Sequence, residues 1–247
     1  MIMDDIKKEE IKKQGRNYIS QLYSLERRPE TDYPNQLAKY LFDKYIFNKS
    51  TLLDVGCGRG DMLKSFEKIG MKVSGIDLSE ESKELCKPII VENINLEDKN
   101  FKYSGESPDF IFSKSLIEHL KNPLIFLESC RSILNENGKL ILLTPSWVHH
   151  SWGPFYQDHT HVTPFTFHSL RDAAYLAGFK KVEVSYFYQL PFLWKYPYFK
   201  VLIQIIGKLP IPYRPMYEGI TNIKLPEKMN TFIRFANETM LLAICQK

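Results

Sequence analysis

An aspartate and three glycines occupy alternate positions in one short segment: Asp54, Gly56, Gly58 and Gly60. Glycines at this spacing permit a tight turn and let backbone N–H groups approach an anionic group of a ligand. A dinucleotide-binding loop would need a glycine at position 61, where the chain has Asp61, so a pyrophosphate ligand is disfavoured. The loop amides suit a carboxylate, and Asp54 suits an ammonium group.

A second acid, Asp77, lies seventeen residues beyond Gly60. In nucleotide-binding folds, an acid about 20 residues beyond the glycines accepts hydrogen bonds from the ribose hydroxyls. The two acids and the glycines together predict a ligand that carries a carboxylate, an ammonium group and a ribose but no phosphate.

Four of the six histidines lie between positions 149 and 161. The cluster consists of His149, His150, Asp158, His159 and His161. A neutral imidazole can accept the proton of a hydroxyl group, and a neighbouring carboxylate can orient it. We therefore predict His159, His161 and Asp158 as catalytic residues. Hydrogen bonds that only shape the loop are an alternative, and so is a bound metal ion, because His-x-His with an acid is also ligand chemistry. We expect no metal.

These residues follow short apolar segments that alternate with helical patterns. Strands are predicted over 51–55, 72–76, 88–91, 109–112, 139–143 and 181–187, and helices over 62–69, 122–134 and 166–177. Such alternation indicates a parallel sheet with helices on both faces, and these sheets bind ligands beyond the carboxyl ends of their strands.

The outer parts of the chain differ from this alternating core. We predict an N-terminal helical cap over 1–50, a core over 51–188, an insertion over 189–234 and a final strand over 235–247. From residue 188 onward the chain has eight Lys/Arg against three Asp/Glu and many aromatic residues. A lid over the acceptor pocket is the favoured role of the insertion. A membrane-surface contact through 190–217 and a dimer interface are the alternatives.

Composition excludes several classes of protein. A net charge of +4 over 247 residues is too small to indicate nucleic-acid binding. The four cysteines form no CxxC pair, and no apolar run approaches the ~18–20 residues of a membrane span. The charged N-terminus also lacks the apolar stretch of a signal peptide. A cytoplasmic protein is expected.

Several segments carry a resemblance to a known family. The run 52–60, Leu-Leu-Asp-Val-Gly-Cys-Gly-Arg-Gly, resembles the first motif of the class I S-adenosylmethionine-dependent methyltransferases, and 75–79 resembles the second. Residues 109–113 with 117–120 are similar to the fourth-strand region of the small-molecule branch, and 134–140 to the turn before the fifth strand. The resemblance covers about residues 50–187.

The resemblance implies an α/β fold with a Rossmann-like, seven-stranded, mostly parallel sheet, and S-adenosylmethionine as the cofactor. By position, it implies that Gly56, Cys57 and Gly58 line the methionine moiety. It also implies that Asp77 holds the ribose and that Leu78 flanks the adenine. Asn93 and Ile94 occupy the position where the family usually has an acid that reaches the adenine amine. The predicted cofactor-binding residues are Asp54, Gly56, Cys57, Gly58, Gly60, Asp77, Leu78, Asn93, Ile94 and Ser113.

The predicted acceptor is a small molecule. The chain has no Pro-Pro-aromatic run after the fourth strand and no acids at 144–146, which disfavours nucleic-acid amines and metal-dependent catechol chemistry. The run 158–166 resembles a Thr-His-containing loop of small-molecule O-methyltransferases, including quinone-pathway enzymes. We favour O-methylation of a hydroxyl on a sugar or cell-surface glycan precursor. The alternatives are a lipid-linked or quinone-type acceptor, a non-catalytic partner subunit that binds S-adenosylmethionine, and a nicotinamide oxidoreductase, which Asp61 disfavours. The oligomeric state is not predicted.

Overall fold

A computed structural model describes residues 19–20, 23–26, 28–98, 102–151, 154–214 and 225–247. A seven-stranded sheet with the order β3-β2-β1-β4-β5-β7-β6 organises the chain. The chain divides into two compact units. The first comprises the described residues up to Ser113 together with Ser132–Lys139, and the second comprises Lys114–Arg131 with the described residues from Leu140 to Lys247.

The first unit contains the parallel strands. They are β1 (Thr51–Val55), β2 (Lys72–Asp77), β3 (Val91–Asn93) and β4 (Phe110–Lys114). Strand β1 pairs in parallel with β2 and with β4, and β2 pairs in parallel with β3. The helices are α1 (Tyr33–Leu41), a π-helical turn (Phe42–Ile46), α2 (Asp61–Ile69) and α3 (Glu81–Leu85).

Burial in the first unit follows the predicted patterns. Four of the five β1 residues are buried, as expected for a strand covered on both faces. Helix α2 buries Leu63 and Phe66, three positions apart on one face, and ends at Gly70, whose φ is 95°. The predicted helix over 62–69 is confirmed.

The second unit contains the other three strands of the sheet. Its strands are β5 (Lys139–Pro145), β6 (Lys181–Phe187) and β7 (Met240–Gln246). Strands β6 and β7 are antiparallel, with Lys181 opposite Gln246 and Phe187 opposite Met240. The helices are α4 (Pro123–Ile133), α5 (Trp147–His150), α6 (Phe167–Leu176), α7 (Pro191–Lys195), α8 (Lys200–Gly207) and α9 (Glu227–Asn237). Short 3₁₀ turns cover Ile117–His119, Pro154–Gln157 and Pro197–Phe199.

Two predicted boundaries are wrong. The third strand was expected over 88–91 but begins at Val91, because Pro88 has no N–H to donate to a strand ladder. The final strand was expected from Phe235 but begins at Met240. Phe235 lies in α9, where Ile233 and Ala236 are buried three positions apart, so helical packing extends further along the chain than the sequence indicated.

The predicted Rossmann-like, seven-stranded, mostly parallel sheet is confirmed. Helix α1 agrees with the expected helical pattern around Leu37 and Leu41, whereas the part of the predicted helical cap before residue 19 lies outside the described residues. Residues 215–224 of the predicted insertion lie outside them too, and the four-part division of the chain stays a prediction. Within the described part of the chain, no helix is both long enough and apolar enough to cross a membrane.

Candidate active site

The glycine loop connects the carboxyl end of β1 to the start of α2. Gly56, Gly58 and Gly60 all have positive φ values, of 80°, 54° and 79°. Side chains rarely tolerate this left-handed conformation, so each position favours glycine. A Cβ placed at Gly60 would lie 2.6 Å from Cys86 Sγ, whereas a Cβ at Gly58 would meet no heavy atom of the described residues within 4 Å. The loop is therefore closed on its Gly60 side and open at Gly58.

Asp77 ties this loop to the end of β2. One carboxylate oxygen accepts the Gly58 N–H at 2.8 Å, and the other accepts the Ser79 N–H at 2.8 Å. Burial raises the pKa of Asp77, and the hydrogen bonds from the Ser79 and Gly58 amides lower it, which offsets part of that rise. A carboxylate offers about four acceptor positions, and the Gly58 and Ser79 amides occupy two of them.

Asp54 is a buried acid beneath the loop, with a side chain only 3% exposed. Burial raises its pKa well above 3.8, and the charges of Cys86 and Asp77 raise it further. A buried carboxyl in this state becomes favourable as an anion only when a cation approaches it. An ammonium or sulfonium ligand would provide that cation.

The other predicted cofactor residues lie around the same strand ends. The Asn93 side-chain amide donates to the carbonyl oxygens of Asp77 at 3.1 Å and Leu78 at 2.5 Å, and the Ile94 N–H donates to the Asp77 carbonyl at 3.2 Å. These bonds fix the turn after β2, and Leu78 is 39% exposed there. Asn93 and Ile94 thus position the Asp77–Leu78 turn.

Two predicted contact residues use their side chains to hold the structure. The Ser113 hydroxyl is fully buried and donates to the Val55 carbonyl at 2.9 Å. The Cys57 side chain packs in a small apolar cluster with Leu63 and Cys86. A direct role of either residue in cofactor binding stays a prediction.

The histidine loop of the second unit forms a chain of hydrogen bonds. Asp158 accepts the backbone N–H of Thr160 at 3.0 Å and its hydroxyl at 2.5 Å. The Thr160 hydroxyl oxygen lies 2.7 Å from His119 Nδ1, and His161 Nδ1 lies 2.6 Å from the Phe155 carbonyl oxygen. Asp158 thus contacts His119 through Thr160, and the predicted catalytic roles of Asp158, His159 and His161 stay predictions. His159 is exposed.

Glu118 belongs to this group and was not predicted as a site residue. Its side chain is fully buried, and one oxygen accepts the Thr144 hydroxyl at 2.9 Å. The other oxygen has no hydrogen-bond partner among the described residues. Burial raises the pKa of Glu118 to about 7. The available signal was the pair Glu118-His119 at the carboxyl end of a predicted strand.

Burial lowers the pKa of four histidines of the second unit: His119, His149, His150 and His161. Burial, with a smaller effect of the His161 charge, lowers the pKa of His119 to about 4, and burial also lowers that of His161. His149 and His150 lie in α5, where each Nδ1 lies 2.9 Å from an oxygen of Ser146. These two residues of the predicted cluster hold the turn after β5.

Loop, strand-end acids and sheet order together define a Rossmann-like protein built for a nucleoside-containing cation. A family model described as a methyltransferase domain matches residues 23–184, and the chain belongs to this family. Membership confirms the predicted class I S-adenosylmethionine-dependent methyltransferase and its cofactor.

A relative from Haemophilus ducreyi, named ubiquinone biosynthesis O-methyltransferase, is 31% identical over 110 residues, which are 40% of this chain and 46% of that protein. One from Histophilus somni with the same name is 30% identical over 131 residues, 49% of this chain and 52% of that protein. The chain spans about half the length of the curated relatives it matches.

Solved structures share the fold. A Haloferax volcanii methyltransferase complex with the activator Trm112 has a TM-score of 0.62 at 18% identity, and the match covers 93% of each chain. A SAM-dependent methyltransferase from Archaeoglobus fulgidus has a TM-score of 0.56 at 19% identity, covering 92% of this chain and 99% of that one. At these identities the likeness supports the fold alone.

Proposed function

We propose that the protein transfers the methyl group of S-adenosylmethionine to a hydroxyl oxygen of a small molecule, with an aromatic, quinol-type hydroxyl as the favoured acceptor. The observation that carries the acceptor class is the name shared by the relatives that are about 30% identical, ubiquinone biosynthesis O-methyltransferase. It agrees with the resemblance of the loop 158–166 to O-methyltransferase loops. The acceptor favoured from the sequence, a sugar, has no such support, and sugars therefore serve as the competing acceptor class in the test.

The cofactor roles follow from the family resemblance and from the burial of Asp54. Gly56, Cys57 and Gly58 would line the methionine moiety, as the resemblance implies, and Asp54 would pair with its ammonium group. Asp77 would accept hydrogen bonds from the ribose hydroxyls. Leu78, exposed beyond the same strand end, would pack against the adenine.

Methyl transfer needs little from the protein besides position. The acceptor oxygen attacks the methyl carbon, the carbon–sulfur bond breaks, and its electron pair stays on sulfur in neutral S-adenosylhomocysteine. The hydroxyl proton leaves at the same time, and His159 on the exposed side of the loop stays the predicted base. Holding the oxygen in line with the methyl group supplies much of the acceleration.

The test is methyl transfer from isotopically labelled S-adenosylmethionine to a panel of acceptors, followed by mass spectrometry. The panel contains catechols and quinols with and without a prenyl chain, and hydroxylated sugars. We expect labelled methyl ethers of the aromatic acceptors with the wild-type chain and none with Asp77→Asn, a variant of matched shape. Methylation of sugars alone would overturn the acceptor class. Cofactor binding without transfer to any acceptor would favour a non-catalytic partner subunit.

A further inference from the structure

One cluster in the second unit combines three side chains of the two types that commonly bind metal ions, a carboxylate and two imidazoles. A carboxylate oxygen of Glu118 and one nitrogen each of His119 and His161 all lie within 4.8 Å of one another. The two imidazole rings meet edge to face, with centroids 4.6 Å apart. Zinc–nitrogen and zinc–oxygen bonds of about 2.0–2.2 Å place ligand atoms somewhat closer together than this, so small side-chain rotations close the set around an ion.

The free oxygen of Glu118 points to a missing partner. The side chain is fully buried, Thr144 contacts only one of its oxygens, and the other has no hydrogen bond among the described residues. A buried polar atom without a partner is costly, so such atoms are rare without an explanation such as an ion. Glu118 also contributes a carboxylate oxygen to the group formed with the two histidines.

Both histidines use the same ring nitrogen, Nδ1, in a hydrogen bond to the protein. His161 Nδ1 donates to the Phe155 carbonyl oxygen, and His119 Nδ1 donates to Thr160, whose hydroxyl donates to Asp158. With each Nδ1 used, the Nε2 atoms carry the free lone pairs. Metal-binding histidines show this arrangement, in which the second nitrogen donates to a carbonyl or reaches a carboxylate.

The backbone holds the two contributing segments together before any ion binds. The N–H groups of Val162 and Thr163 donate to the Glu118 carbonyl at 2.9 and 3.0 Å, and the Thr163 hydroxyl donates to the Leu120 carbonyl at 2.6 Å. These bonds fix the turn that carries Glu118 and His119 against the loop that carries His161. A preformed donor set of this kind binds an ion with little reorganisation.

We propose that Glu118, His119 and His161 bind a divalent transition-metal ion, with zinc as the expected ion. Two imidazoles and one carboxylate suit zinc or iron(II) better than magnesium or calcium, which prefer oxygen ligands. Three protein ligands leave a coordination position open for water or for a substrate oxygen. The role of the ion, binding the acceptor hydroxyl and easing loss of its proton, rests on the proposed function; its binding does not.

The test measures zinc binding by the full chain after removal of metal with a chelator. We expect one zinc ion per chain by calorimetric titration, and weak or no binding of magnesium under the same conditions. Glu118→Gln and His161→Gln are each expected to weaken zinc binding by more than the roughly 10–100-fold typical of a lost outer-shell partner. His149→Gln, which changes a half-buried histidine that is not one of the three proposed ligands, should leave the zinc affinity unchanged.

Two outcomes would overturn the site. One is no stoichiometric zinc binding by the wild-type chain, and the other is zinc affinity in both cluster variants equal to that of the wild-type chain. Binding of S-adenosylhomocysteine and circular dichroism show that each variant is folded, and His161→Gln carries the test where Glu118→Gln unfolds. The role is tested separately. Full methyl transfer by the chelated protein would overturn the role of the ion, while absence of methyl transfer with zinc bound would count against the proposed function and not against the site.

Discussion

The glycine loop of the first unit and the Glu118–His119–His161 cluster of the second unit prepare for ligands in opposite ways. The loop uses three glycines with positive φ values within five consecutive residues, and its two acids lie at neighbouring strand ends. The cluster uses side chains from segments about 40 residues apart, held by hydrogen bonds between them. We therefore expect substitutions that add atoms to destabilise the loop, and substitutions that remove polar atoms to weaken ligand binding by the cluster.

The largest expected effect comes from adding one carbon to the loop. Gly60→Ala forces a left-handed residue, which costs about 1–2 kcal/mol, and overpacks Cys86, which costs about 1–3 kcal/mol. Gly58→Ala meets no neighbour and should lose only the first amount of unfolding free energy. Chemical denaturation of both variants measures the difference. Adding Cys86→Ala should recover part of the Gly60→Ala loss, and equal losses in the two glycine variants would contradict the packing explanation.

The next effect concerns the binding role of the loop. Asp77→Asn removes the charge that is proposed to accept the ribose hydroxyls, and hydrogen bonds to charged groups contribute about 1.5–3 kcal/mol each. We expect S-adenosylhomocysteine to bind about 100-fold more weakly, measured by calorimetry. Asn93→Ala, which removes only the support of the Asp77–Leu78 turn, serves as the control and should cost clearly less. An unchanged affinity in Asp77→Asn would place the ribose elsewhere.

The loop was easier to predict from the sequence than the cluster, because the loop is built from consecutive residues and the cluster from distant ones. Glycine spacing, strand-end acids and strand–helix alternation are local, so the sequence predicted the loop and the parallel sheet, and the family resemblance of the same motifs implied the cofactor. The cluster depends on the contact between the Glu118 turn and the loop at Val162 and Thr163, which no local pattern shows. Hence the sequence predicted His161 and Asp158 as chemistry-bearing residues but missed Glu118, and it expected no metal.

The third effect tests whether the outer hydrogen bonds of the cluster matter. Thr160→Val keeps the shape of the side chain but breaks the link from Asp158 to His119. Loss of such an outer-shell partner typically weakens metal binding about 10–100-fold, and zinc titration would measure it. Thr166→Val is the matched control for stability, because it removes another threonine hydroxyl, the one that caps the N-terminus of α6. Unchanged zinc affinity in Thr160→Val would show that His119 needs no orienting partner.

The smallest effect is a pH dependence that belongs to the loop alone. Asp54 has a folded-state pKa raised well above 3.8 by burial, with Cys86 and Asp77 adding to the rise. Its protonated form therefore stabilises the free protein fully below pH 3.8, and this contribution is lost as the pH rises through the raised pKa. A cationic ligand reverses the preference, because an ammonium beside Asp54 favours the carboxylate and lowers its pKa.

Ligand binding should accordingly release a proton from Asp54. The affinity for S-adenosylhomocysteine should rise with pH between the bound-state and free-state pKa values, by at most about tenfold per pH unit for one proton. Calorimetry in two buffers of different ionisation enthalpy measures the released proton directly. Asp54→Asn should bind more weakly and show neither the proton release nor the slope. A slope that persists in this variant would assign the titration to Asp77, and the ammonium would then need another partner than Asp54.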